Sequence, residues 1–182
     1  MTMATMATMA TTNPMPEPVV STARTGKPRG AANAGARHHA RALAVQGLYG
    51  WLLNGGDAAA IGTRLLTEEQ IAKIDVPYFR ELLGGTVAAA DELRGELAGL
   101  VDRPIAELSP VEHAVLLLGA YELKHRLEVP YRVAINEAIE VAKRYGGTDG
   151  HRYVNGVLDK LAARLRSEEL MPPSPASGRG RG

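Results

Sequence analysis

Ser109-Pro110-Val111-Glu112 constrains the fold of this chain more than any other stretch. It is a capping box with proline at the first helical position. Ser109 can accept from the N–H of residue 112, and the Glu112 carboxylate can reach back to the N–H of residue 109. The helix it opens is apolar nearly all round from Ala114 to Leu118. Such a helix is stable only when other elements surround it, so it should be a central buried element.

The surrounding elements also read as helices. Residues 37–54 place Ala44, Leu48, Trp51 and Leu52 on one face and stop at Asn54-Gly55-Gly56. A short helix follows from about Asp57 to Leu66. The next starts at Asp75, with Pro77 in its first turn, and runs to about Val101. Its core candidates are Leu82, Leu83, Val87, Leu93, Leu97 and Leu100. Asp102-Arg103-Pro104 breaks the chain, and a short turn fills 104–108. Beyond the central helix, Pro130 permits a new one with Val133 or Ala134, Ile135, Ala138, Ile139 and Ala142 facing inward. Gly146-Gly147 ends it. The last helix begins near Thr148 or Asp149 and carries a stripe of Val154, Val157, Leu158, Leu161 and Leu165. No segment shows strand alternation. The expectation is an all-α fold of about seven helices in two lobes, residues 37–101 and 104–170. The Met/Thr/Ala repeat and Pro/Gly-rich stretch of residues 1–36, and the tail 171–182, are expected to be disordered.

Composition narrows the function. The chain has no cysteine, which excludes disulfides and thiolate metal sites. No apolar run approaches the length of a membrane span, and no secretory signal opens the chain, so a cytoplasmic protein is expected. Formal net charge is +1, unevenly spread: +2 on residues 1–36, +2 on 171–182 and −3 on the body between. No acidic residue lies between Glu17 and Asp57, whereas Arg24, Lys27, Arg29, Arg37 and Arg41 do, with His38 and His39 beside them. Polyanion contact at one edge is the implication.

Catalysis finds little support. His38 and His39 are neighbours pointing to different sides of a helix. Glu137 and Glu140, one turn apart, read as a solvated face, since no Glu-x-x-His accompanies them. His113, His125 and His151 have no nucleophile or ligand partners nearby in sequence. A phosphate loop and a serine elbow are both missing. We expect no catalytic residue, metal or cofactor. Arg37 and Arg41, one turn apart with Tyr49 two turns on, suit phosphate contact and base stacking, but on spacing alone a solvated polar face with a half-buried tyrosine is the stronger reading.

Five blocks change that balance. ARHHARALAVQGLYGW, DVPYFRELLGG, LSPVEHAVLLLGAYEL, VPYRVAINEAIEVAKRYGG and HRYVNGVLDK are similar, in the same order, to successive blocks of the NusB family, over about residues 37–165. The resemblance implies two perpendicular helical bundles. It also implies binding to the boxA element of nascent RNA together with ribosomal protein S ten (NusE), in a complex that helps RNA polymerase resist termination on ribosomal RNA operons. It places the family's arginine-rich motif on Arg37, His38, His39 and Arg41, and RNA-contacting aromatics on Tyr49 and Tyr153. Neutral histidines in that motif attract phosphate less than arginine does. Glu112 matches an acidic residue near the partner and RNA surface, with its capping role as the alternative. Asp149 matches a position tied to assembly, with an N-cap as the alternative. Leu117 stands where relatives often carry a basic residue. Asn155-Gly156 puts glycine inside a helix, for which close helix packing is the expected reason. A runner-up is an RNA-targeting module like those fused to methyltransferases, although this chain has neither a cofactor region nor a catalytic cysteine. A third reading is a homodimer or larger homo-oligomer that uses apolar helices as its interface.

Overall fold

The computed structural model describes residues 29–170, with side chains from Asn33 onward. The expected disorder of residues 1–28 and 171–182 lies outside the described residues. Nine α-helices are described: α1 Arg29–Asn54, α2 Ala58–Leu65, α3 Glu68–Ile71, α4 Val76–Ala88, α5 Ala90–Ala98, α6 Pro110–His125, α7 Tyr131–Tyr145, α8 Gly150–Leu165 and α9 Ser167–Leu170. A 3-10 turn, Ile105–Glu107, fills the break before α6, and no strand occurs among the described residues.

α2, α3, α4 and α6 begin where an N-cap side chain satisfies a free N–H group of the first turn. Asp57 accepts from Ala60 N–H at 2.7 Å, and Asp75 accepts from Tyr78 N–H at 3.1 Å. The capping box of α6 is complete. Ser109 Oγ accepts from Glu112 N–H, and Glu112 Oε2 accepts from Ser109 N–H, both at 3.2 Å. α6 then buries every residue from Ala114 to Leu123 and packs against α1, α4, α5, α7 and α8. Because α6 is shared, and α1 also reaches α7, the apolar cores on either side of residues 102–104 form one cluster.

Several features depart from the sequence reading. α1 starts at Arg29, eight residues before the expected boundary. Alanine-rich sequence favours it, and Asp75 N–H donates to the carbonyl of Ala36. The single helix expected over 75–101 is two, broken at Ala89. α3 and α9 are one turn each, too short to show an apolar period. On α7 the inward residue is Ala134, while Val133 is 42% exposed.

The glycine of the Asn155-Gly156 pair does not mark close packing. No atom lies within 4 Å of where a Cβ on Gly156 would sit. The tight approaches are elsewhere. A Cβ on Gly119 would lie 2.7 Å from Leu158 Cδ1, and one on Gly85 would overlap the Tyr121 ring and hydroxyl. Gly156→Ala is therefore expected to stabilise the chain by about 0.4–1 kcal/mol, by restricting the unfolded state. Gly85→Ala is expected to cost about 1–3 kcal/mol, because the Tyr121 ring must move. Urea unfolding of the two variants checks the opposite signs.

Two helix ends rely on one short segment. Arg166, buried, donates to the carbonyls of Leu123 at 2.6 Å, Arg126 at 3.0 Å, and Glu122 and Leu127 at 3.3 Å, which closes the C-terminal end of α6. Glu169 pairs with Arg166 and accepts from Tyr131 N–H at 3.2 Å. It thereby caps α7, whose own N-cap, Pro130, has no polar side chain.

Candidate nucleic-acid and partner interface

The first half of α1 places the expected basic residues in three different settings. Arg37 is about one-third exposed, its Nε 3.5 Å from Asp75 and its guanidinium 4.8 Å from the Tyr78 ring centre. His38 Nδ1 lies 2.8 Å from Glu137 Oε2, and His39, exposed, meets the carbonyl of Gly35. Glu137 is thus no solvated face: it sits half-buried against His38 and, at 3.5 Å, Arg41, while Glu140 is exposed and pairs with Lys143.

Arg41 is not at the surface. It is 4% exposed, and Glu122 on α6, which it grips, is 1% exposed. Arg41 Nε donates to both Glu122 oxygens at 3.1 and 3.0 Å, and Nη2 donates to Glu122 Oε1 and to Tyr78 Oη, each at 2.8 Å. Tyr78 Oη itself donates to Glu122 Oε1. Burial pulls the Arg41 guanidinium down, but hydrogen bonding to Glu122 and its charge outweigh that and hold it above the usual arginine value. Burial, then the Glu122 charge, push the Tyr78 phenol up. The position expected to grip phosphate instead anchors α1 to α6 and α4. Its partner lies 81 residues away, beyond the reach of any local pattern.

Two turns beyond Arg41, α1 reaches a second surface. Tyr49 is 40% exposed and shares a shallow cleft with Val45, Gln46, Val111 and Tyr145. Gln46 Nε2 donates to Tyr145 Oη at 2.8 Å, and the Arg144 guanidinium lies 5.3 Å from the Tyr145 ring centre. Tyr145 escaped the sequence reading. Its only local signal is an aromatic after Lys143-Arg144, directly before the Gly146-Gly147 stop.

Val111 leads to Glu112, whose carboxylate serves the α6 cap and also abuts the start of α8. A Cβ on Gly150 would stand 3.2 Å from Glu112 Oε1. Asp149 occupies the N-cap position of α8 but makes no side-chain cap bond. Its carboxylate is exposed, 3.4 Å from Arg152. One turn on, Tyr153 is half-buried, with the Arg103 guanidinium 4.9 Å from its ring centre. The Tyr153 hydroxyl is buried without a hydrogen-bond partner among the described residues, and burial, then neighbouring Asp102, push its pKa up. Tyr49, Tyr145, Glu112, Asp149 and Tyr153 thus lie along one edge made by α1, α6, α7 and α8. Arg37 lies twelve residues back along α1, about 18 Å by helical rise.

Among the described residues, no group of three His, Asp or Glu could hold a metal, and no helix is long and apolar enough to cross a membrane. Leu117 is fully buried in α6, so a basic side chain there would have to displace core.

The pattern that defines the NusB family matches residues 38–163. The transcription antitermination protein NusB of Thiobacillus denitrificans is 51% identical over 137 residues, 75% of this chain and 94% of that protein. Its counterpart in Azoarcus is 56% identical over 136 residues, 74% of this chain and 88% of that protein. Among solved structures, NusB of T. maritima superposes with a TM-score of 0.66 at 27% identity, covering 74% of this chain and 96% of that one. A crystal structure of antitermination factors NusB and NusE in complex with double-stranded RNA matches with a TM-score of 0.64 at 25% identity, covering 71% and 97%.

Proposed function

Since the chain belongs to the NusB family, we propose that it is a transcription antitermination factor that binds boxA RNA together with ribosomal protein S ten (NusE). Acting in the cytoplasm within the antitermination complex, it helps RNA polymerase read through terminators, notably in ribosomal RNA operons. The single observation that carries the reading is the edge around Tyr49: an exposed aromatic cleft on a chain whose solved relative is held with both NusE and RNA.

The chemistry divides between the two partners. The body of the chain carries −3, so long-range attraction for RNA is weak and a basic partner must extend it. Tyr49 and Tyr145 offer rings to unpaired bases, Arg144 supplies a phosphate contact beside them, and Arg37 supplies another farther back along α1. His38 and His39 lie next to Arg37. Tyr153 extends the aromatic edge, and Asp149 presents an exposed carboxylate, beside Arg152, to the protein partner. Glu112 holds the start of α6 in place and lines the same edge. Arg41 has no part in RNA contact in this reading: it is 4% exposed, and its Nε and Nη2 donate to Glu122 and Tyr78.

A gel-shift titration tests this with boxA RNA, a scrambled strand and a boxA duplex, each with and without the S ten partner. Selective binding of the single strand that strengthens with partner is the expected result. Tyr49→Ala, a surface change, is expected to weaken that binding by about 1–3 kcal/mol, the usual cost of losing one base stack. Equal binding to all three RNAs, with or without partner, would remove the boxA function and leave only the fold. Preference for the duplex would contradict stacking on Tyr49.

A further inference from the structure

We infer that Arg103, stacked on Tyr153, is a nucleobase platform: an unpaired RNA base lies on the outer face of its guanidinium, extending a Tyr153–Arg103–base stack. The inference rests on the RNA-binding reading above and adds a contact from the segment joining α5 to α6.

Arg103 shares with Arg37 a carboxylate at Nε and a ring beneath it, but its Nε bond is shorter, 3.0 against 3.5 Å, and its side chain is more exposed. Its Nε donates to Asp102 Oδ1 at 3.0 Å, which restrains the group. Its guanidinium carbon lies over the Tyr153 ring, 4.9 Å from the ring centre, and the side chain is still 46% exposed. Neither terminal nitrogen has a hydrogen-bond partner among the described residues. A guanidinium restrained by one carboxylate and backed by a ring is pre-organised, so little rotamer entropy remains to be lost when a ligand covers it. Arg94 also lies against a ring, that of Trp51, but Asp91 and His113 take its nitrogens. Arg152 has no ring behind it and pairs with Asp149.

The neighbouring charges decide which part of the RNA sits there. Asp102 touches Arg103, and the charge of Glu112 also bears on it. Two carboxylates beside one guanidinium disfavour a phosphate. They do not oppose a neutral base, which gains from the flat, polarised face. Arg103 reaches this edge from a stretch legible in sequence only as a chain break.

The test compares wild type, Arg103→Ala and Arg103→Lys in boxA titrations at several salt concentrations, with binding to the S ten partner measured separately. It also uses boxA strands carrying a single abasic site at each position in turn. Expected results are a roughly tenfold loss of RNA affinity in Arg103→Ala, as for one lost stack, and a similar loss in Arg103→Lys, which keeps the charge but not the plane. The slope of affinity against salt should be nearly unchanged. At one nucleotide the abasic penalty seen with wild type should vanish in Arg103→Ala. Full affinity in Arg103→Lys, or a salt slope lowered by about one in Arg103→Ala, would make Arg103 a phosphate contact and overturn the platform. Unchanged RNA affinity in Arg103→Ala overturns it too, as does a loss confined to partner binding. These failures all leave wild-type boxA binding intact. A wild-type chain that does not select boxA fails the functional reading itself.

Discussion

Glu122→Ala is expected to lower the unfolding free energy by about 3–5 kcal/mol, the cost of stranding a buried charge. Arg41 cannot leave: its stem is packed inside, and its guanidinium is bonded to Glu122 and Tyr78 with almost no exposure. Without the carboxylate, one positive charge would remain in the interior facing only the Tyr78 hydroxyl and the more distant Glu137. Arg41→Ala should cost a comparable amount by stranding Glu122. The two losses should not add, because each change breaks the same bonds, and the double variant with leucine at both positions should be more stable than either alanine variant. Urea unfolding of the four proteins measures this. A loss under 1 kcal/mol in Glu122→Ala would mean that the pair does not anchor α1 to α6. Weak boxA binding by Arg41→Ala would then require another explanation than loss of fold.

Arg166→Ala is expected to cost about 2–4 kcal/mol, since it leaves the buried carbonyl of Leu123, and that of Leu127, without a donor and removes the second donor of Glu122 and Arg126. For a chain of this size that corresponds to a fall in melting temperature of roughly 4–16 °C. Glu169 loses its partner at the same time, which loosens the cap of α7. Arg166→Lys should recover only a small part, because one ammonium cannot span the carbonyls of residues 122, 123, 126 and 127. Thermal melts followed by circular dichroism measure both. If Arg166→Lys melted with wild type, the fan of bonds would not be what closes α6.

Local chemistry made much of the fold legible. The capping box at Ser109, the caps at Asp57 and Asp75, and the stops at Gly55-Gly56 and Gly146-Gly147 act within a few residues, so the chain displays them openly. The all-round apolar run from Ala114 to Leu118 announced a helix that others must enclose, and α6 is that helix. What escaped depends on distant partners. Arg41 and Arg37 share a helical face in sequence, yet Glu122 draws one inside and leaves the other at the rim. Gly156 and Gly119 look alike along the chain. Only the approach of Leu158 shows which of them has a packing reason. The aromatic edge was half visible: Tyr49 showed in the spacing of α1 and Tyr153 in the resemblance, while Tyr145 and Arg103 become neighbours of that edge only after folding.

Amide hydrogen exchange of the full chain, free and saturated with boxA RNA and the S ten partner, tests the central claim without altering a residue. Protection is expected to gather along one edge: residues 45–49 of α1, 111–112 at the start of α6, 143–153 across the end of α7 and the start of α8, and the 102–103 turn, with a second zone at 37–39. The outer faces of α2 and α4, around Ala59 and Arg80, should exchange as in the free chain. Protection confined to α2 and α4, with the Tyr49 edge unchanged, would contradict the account.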